Sequence, residues 1–302
     1  RSLRGAVAGR LQAGSARSAW WDLGCAAGGD AFKYARGATG PTVLMAAHRA
    51  DHGRTYGARA APADANYRDP FARMLEGVRH VPFDDLEAIA RAMDDTVAAV
   101  IIEPIQGEGG VRVPRDGYLR AIRERCDADG ILLICDEIQT GFRTGSPFAF
   151  TREGIVPDIL CLSKSIANGL PLGVTVTTEA VSARVPKGSH GSTFAGNPLV
   201  CAAGTATLQI LADPSPHARA EKAGQRFQDT VRELGLAQVR EVRGRGLQLA
   251  VELQNPATPV VQARQGPAGR GIRGRGGPTW RSSCATRWVW PKCRSTSTRT
   301  SS

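Results

Sequence analysis

At 302 residues, 42% of them hydrophobic, the chain is long enough for one large α/β domain or two domains, with a substantial core. No stretch approaches the roughly 18 apolar residues of a membrane span, and the arginine-bearing start lacks the apolar centre of a signal peptide. The formal net charge of +11 suggests a nucleic-acid partner until it is located: residues 255–302 carry nine Lys/Arg and no acid, residues 1–20 carry four arginines and no acid, and 21–254 hold 26 basic against 28 acidic residues.

The central part is therefore close to neutral, and function is not argued from the isoelectric point. The seven cysteines show no CxxC or other metal-ligand spacing. Several lie in apolar runs and read as small core residues of a reduced, cytoplasmic protein with no metal site.

Residues 1–23 show no clear period and read as an irregular N-terminal segment. DDLEAIARAMDD (84–95) places Leu86, Ile89, Ala90 and Met93 on one helical face, with Asp84 as N-cap. TVAAVIIEPI (96–105) is a continuous apolar, β-branched run, as in a strand covered on both faces. GYLRAIRERCDADG (117–130) returns to helical spacing and ends at Gly130. ILLICDEI (131–138) and DILCLS (158–163) are two more buried strands. Asn197-Pro198 supplies an N-cap and first turn for the helix LVCAAGTATLQIL.

This alternation predicts an α/β fold with a mostly parallel sheet covered by helices. We expect a large domain over 24–212 and a partial smaller domain over 213–254, the latter a helix (EKAGQRFQDTVRELG) followed by a strand (VREVRGRGLQLAVEL). From Asn255 the chain turns to Arg, Gly, Pro, Ser and Thr, a composition for which disorder is the default. The abrupt change after AVEL suggests a shifted reading frame or a truncated gene product, which resequencing the DNA tests.

Two apolar strands end on ionisable groups, ILLIC on Asp136-Glu137 and ILCLS on Lys164. In open α/β sheets ligands sit outside the carboxyl ends of strands, so Asp136 and Lys164 face one crevice if both strands share a sheet. A partly desolvated lysine has a lowered pKa, and its free amine attacks carbonyls. A buried carboxylate opposite a pyridinium nitrogen is paired rather than isolated. Together they suit pyridoxal phosphate, whose ring acts as an electron sink. The bland readings are a solvated lysine and an aspartate that caps a helix or joins a structural ion pair.

EPIQGEGG (103–110), DEIQTG (136–141), SKSIANGLPLG (163–173) and HGSTFAGNPL (190–199) resemble, in order, signature segments of class III pyridoxal-phosphate aminotransferases. The resemblance runs from about Gly24 to Leu253 and is nearest to the acetylornithine and LysW-γ-lysine aminotransferase group. It implies fold-type I, a homodimer, and transfer of the ω-amine of a diamino-acid derivative to 2-oxoglutarate, in arginine or lysine biosynthesis. It also implies that Lys164 is the cofactor lysine and catalytic base and that Asp136 pairs with the pyridine nitrogen. Gln139 matches the partner of the phenolic oxygen. Thr193, beside Ser192, matches a phosphate contact given to the neighbouring subunit. Arg54 matches the arginine for the substrate carboxylate, and Glu103 and Glu108 match active-site acids.

Some positions depart from the family pattern. Asp51 stands where an aromatic residue stacks on the ring. Gly24 and Cys25 occupy the phosphate-loop positions within LGCAAGG, without that loop's polar and acidic residues. The segment FRTG after DEIQTG is one residue shorter than the usual FGRTG. Matched material is also lacking at both ends, where the family has an N-terminal segment and a C-terminal arginine. Two alternatives stay open: a catalytically inactive remnant that at most binds cofactor, and nucleic-acid binding through the Arg/Gly tail. The tail suffices for phosphate contacts but lacks an aromatic platform in 264–277. His52 and His190 read as structural.

Overall fold

The computed structural model of the chain describes residues 16–61, 77–186, 188–189 and 191–257. The basic tail beyond 257, most of the N-terminal segment and His190 lie outside the described residues.

The apolar runs form one seven-stranded sheet. Its order is β1 (Ala16–Trp21), β7 (Gly173–Thr178), β6 (Ile159–Leu162), β5 (Leu132–Asp136), β4 (Val97–Ile102), β2 (Val43–Ala47) and β3 (Val78–Val81). β3, β2, β4, β5 and β6 pair in parallel, whereas β7 is antiparallel to both β6 and β1. All six residues of β4 are buried, as expected where helices cover both faces.

Alternate side chains build two cores. Val100, Ile102, Leu133, Cys135, Leu160 and Leu162 pack with Leu119, Ile122 and Cys126 of α3 (Tyr118–Asp129). Ala99, Ile101, Ile134, Ile159 and Cys161 pack with Ala31, Phe32 and Ala35 of α1 (Gly24–Thr39). Each fully buried Leu or Ile contributes about 1.5–3 kcal/mol. Gly130 ends α3 in the left-handed region (φ 67°), its N–H returning to Cys126 O. Asn197 caps α5 (Pro198–Ile210) by accepting from Leu199 N at 2.9 Å.

Three local expectations change. The helix predicted from Asp84 is α2 (Leu86–Ala92), and its N-cap is Asp85, which accepts from Ala88 N at 2.9 Å. Asp84 has φ 64° and instead meets Arg115 at 3.1 Å. Ala16–Trp21 is not irregular: it is the edge strand β1, paired along its length with β7. The segment after α6 (Ser215–Glu233) is a hairpin of β8 (Val239–Arg245) and β9 (Gln248–Leu253), not one strand. Gly246, at positive φ, makes the reversal with Leu247, and Gly244, also at positive φ, lies just before it within β8. The Arg243 guanidinium ties this hairpin to the loop after β4 through Gly110 O (2.7 Å) and holds Glu252 at 2.7 Å.

Candidate active site

β5 and β6 are neighbours in parallel register, with Asp136 opposite Cys161. Asp136 is the last residue of β5, and Lys164 follows the end of β6 by two residues. Both therefore project at the carboxyl edge of the sheet, where the loop after β4 also begins.

Lys164 opens a short 3₁₀ turn with φ 45°, a left-handed conformation unusual for a lysine. Ser163 Oγ donates to Leu172 O (2.7 Å) and Ser165 Oγ to Gly141 O (2.9 Å), bracing the turn on both sides. The residue is exposed, yet neighbouring protein crowds its amine. That crowding lowers its pKa. The nearby Arg143 guanidinium lowers it further, against Asp136, Glu103 and Glu108, which raise it.

Asp136 is 3% exposed. Its Oδ1 accepts from Ile138 N at 3.0 Å, and its Oδ2 lies 2.8 Å from His52 Nδ1. His52 is buried as well. Burial pushes its pKa down, but the hydrogen bond and charge of Asp136, with Glu103 and Asp51, outweigh this and raise it. His52 Nε2 has no partner among the described residues. This histidine was missed as a site residue, because 84 residues separate it from Asp136 and its one signal was membership of the DHGRT segment.

Glu103 is buried and clamps two loops: Oε1 accepts from Asp51 N (2.8 Å) and Oε2 from Gly107 N (2.7 Å). Burial, with the nearby Asp136 charge, pushes its pKa up to about 7, against His52 and the two amides. The Gln139 amide lies over Gly107, where an added Cβ would come within 2.1 Å of Gln139 Oε1. Its Nε2 is 3.5 Å from Glu108 Oε1, so these two residues meet at the crevice wall. Asp51 is half-buried and turns its Oδ1 onto Gly53 N (3.1 Å).

The N-terminus of α1 reaches the same edge. A Cβ at Gly24 would lie 3.0 Å from Ser163 Cβ and 3.2 Å from Ile138, so the first turn is pressed against the ends of β5 and β6. The helix begins without a side-chain cap and without an acid in its first turn. Its first amides lack intrahelical acceptors and favour an anion. Gly53 (φ 128°) packs on Cys25, whose carbonyl accepts from Thr55 Oγ1 (3.3 Å).

Two predicted groups stand further out. Arg54 is exposed on the loop after His52. Ser192 and Thr193 are exposed in the turn that precedes α5. A surface depression lined by Arg120, Arg123, Asp127 and Asp158 lies at the amino end of β6, opposite Lys164. Among the described residues no group of three His, Cys, Asp or Glu could hold a metal ion.

The cofactor of the suggested family, pyridoxal phosphate, fits this donor set. Asp136 is a buried carboxylate for a ring N–H⁺, Lys164 an amine on the next strand, and the uncapped α1 terminus an anion cradle. Fold and donor set together point to the class of α/β pyridoxal-phosphate proteins of the aminotransferase type.

Comparison with known proteins narrows this. Residues 9–278 match the model of the family described as aminotransferase class III, and the chain belongs to that family. It is 46% identical to an acetylornithine aminotransferase of Methanopyrus kandleri over 74% of this chain and 57% of that one. It is 42% identical to one of Methanothermobacter thermautotrophicus over 80% and 62%. Among solved structures it resembles an ornithine aminotransferase from Toxoplasma gondii (TM-score 0.82, 34% identity, 87% of this chain and 66% of that chain). It also resembles a PLP-bound amine transaminase from an uncultivated Pseudomonas species (TM-score 0.78, 29% identity, 87% and 70%). The chain spans about three fifths of the length of the curated relatives it matches.

Proposed function

We propose that the chain carries out, or supplies the cofactor half of, amino transfer from the ω-amine of a diamino-acid derivative such as N-acetylornithine to 2-oxoglutarate. The observation that carries the reading is the placement of Asp136 and Lys164 on adjacent parallel strand ends, beside the uncapped terminus of α1. The acetylornithine aminotransferases among its relatives support the donor class.

Bound here, pyridoxal phosphate supplies a conjugated ring that withdraws electrons from the substrate carbon bearing the amine. Asp136 holds the ring nitrogen protonated, and His52 fixes which way the carboxylate faces. Lys164 Nζ, with its lowered pKa, is the amine that would hold the cofactor by its carbonyl and the base that would accept the proton of the substrate carbon bearing the amine. The first amides of α1, from Gly24 and Cys25, receive the phosphate. Gln139 receives the phenolic oxygen, Glu108 closes the wall behind it, and Arg54 takes a substrate carboxylate. Glu103 keeps the floor in shape through its two amide contacts.

Thr193, with Ser192, suits contact with the phosphate of a second copy, so a homodimer forms part of the reading. A place in arginine or lysine biosynthesis follows from the donor class. None of the described helices is long and apolar enough to cross a membrane. A cytoplasmic location is our reading of the free cysteines among the described residues. A second reading, cofactor binding without turnover, is favoured by one observation: Asp51 puts a carboxylate where a stacking ring is expected. The test is glutamate formation from N-acetylornithine and 2-oxoglutarate with added cofactor. Lys164-dependent turnover supports the first reading, and cofactor binding without turnover the second.

A further inference from the structure

The loop after β4, EPIQGEGGVRV, leaves the sheet at Glu103 and folds back on itself. Gln106 N and O pair with Arg112 O and N (3.0 Å each), and inside this reversal Gly110 N and Val111 N both donate to Gly107 O (3.1 Å). The turn is strained: Gly110 has φ 111° and Val111 φ 49°. The left-handed region is an outlier for a β-branched residue, and such strain persists only where the surroundings over-determine the backbone.

Arg243 of β8 supplies that restraint. Its Nη2 and Nε donate to Gly110 O (2.7 and 3.0 Å), and Nε also reaches Val111 O at 3.2 Å. Its other terminal nitrogen, Nη1, lies 2.7 Å from buried Glu252 and 2.6 Å from Glu241, so both sides of the planar fork are engaged. Ala250, opposite Arg243 in the hairpin register, packs with Ile105 and Val111 against the same turn. At the near end of the turn Glu103 holds Gly107 N, the Gln139 amide lies over Gly107, and Gln139 Nε2 is 3.5 Å from Glu108. Glu103 thus fixes one end and Arg243 the other, with Glu108 between them.

We propose that Arg243 is a positioning residue of the crevice: from the β8–β9 hairpin it holds the Gly110-Val111 turn, and with it the Gly107-Glu108 surface on which Gln139 rests. This rests on the reading of the crevice as an aminotransferase site, in which Gln139 receives the phenolic oxygen of the cofactor. The hairpin thereby takes part in shaping the cofactor site without touching the cofactor.

The first readout is amide hydrogen exchange of the full chain without cofactor. Arg243→Met should speed exchange in the peptide spanning 104–112 by about 10-fold or more, with the peptides of β4 and β5 unchanged. The second is pyridoxal phosphate affinity, read by fluorescence titration in a double-mutant cycle. Arg243→Met and Gln139→Ala should each weaken binding about 3- to 30-fold, and the double variant should lose little more than Gln139→Ala alone. A purely structural role would weaken binding equally in both backgrounds. Unchanged exchange in 104–112, or additive losses in the cycle, overturns the proposal. Should Arg243→Met fail to fold, Arg243→Lys keeps a cation for Glu252 but lacks the fork, and the same two outcomes decide. An unmodified chain that binds no pyridoxal phosphate refutes the aminotransferase reading; exchange in 104–112 then decides the clamp, faster in Arg243→Met supporting it and unchanged overturning it.

Discussion

His52 and Asp136 form a buried pair, Nδ1 to Oδ2 at 2.8 Å, at the carboxyl edge of the sheet. The histidine comes from the loop after β2 and the aspartate from the end of β5, so the contact fastens the loop to the strand. Because Asp136 also accepts from Ile138 N, its carboxylate has one oxygen fixed by backbone and one by imidazole.

Replacing His52 by Ala should leave a buried carboxylate short of a partner. Breaking such a pair costs about 3–5 kcal/mol, read as a drop in urea midpoint. The pH sign follows from the raised pKa of His52. Its contribution is full below the unfolded value of roughly 6.5 and is lost as pH rises through the folded value. The gap between the unmodified protein and His52→Ala should therefore narrow on the alkaline side. A gap that widens with pH would contradict the pairing.

A second buried carboxylate titrates in the opposite setting. Asp30 on α1 is 2% exposed and accepts from Trp21 Nε1 of β1 at 3.0 Å. Burial pushes its pKa up to about 7, although Thr175 and Trp21 oppose the shift. The folded state thus binds this proton more tightly than the unfolded chain, and stability falls as pH rises from about 4 to about 7. Asp30→Asn should flatten that part of the stability–pH curve and gain about 2–4 kcal/mol at pH 8. An unchanged curve would show that Asp30 does not control it.

Much of this site was legible in the chain itself. Apolar runs ending on Asp136 and Lys164 announce buried strands whose next residue meets a crevice, because a strand covered on both faces excludes charge until it emerges. Gly130 and Asn197-Pro198 mark helix ends through local geometry alone. β1 was not legible, since ARSAWW has no alternation of its own and is defined by pairing with β7 across more than 150 residues. The β8–β9 reversal hid in an Arg-Gly-Arg-Gly run, where the same glycines suit a strand interrupted or a turn. The His52–Asp136 contact is tertiary in origin, and no spacing rule encodes it.

Gly53 tests how tightly the α1 terminus is fitted. Its φ is 128°, and an added Cβ would meet Cys25 Cβ at 2.4 Å. Gly53→Ala should cost about 1–3 kcal/mol of stability from the strained backbone alone, and more if Cys25 cannot move. It should also weaken cofactor phosphate binding, because the displaced residue lies in the first turn of α1. Titration with pyridoxal phosphate and thermal melting check both effects.

Asp51→Phe is expected to tighten pyridoxal phosphate binding about 2- to 10-fold, the range an aromatic stacking contact supports. The Asp51 N contact to Glu103 survives this change, since it is made by the backbone. Fluorescence titration of the cofactor reads the result, and weaker binding would place the Asp51 side chain away from the ring.

The pairing of Asp136 and Lys164 as one cofactor site is tested most directly by borohydride reduction of the protein incubated with pyridoxal phosphate, followed by peptide mapping. The label should lie on the peptide containing Lys164, and Asp136→Asn should reduce cofactor affinity without moving the label. Label carried by Lys33 or Lys222 with none on Lys164 would contradict the site.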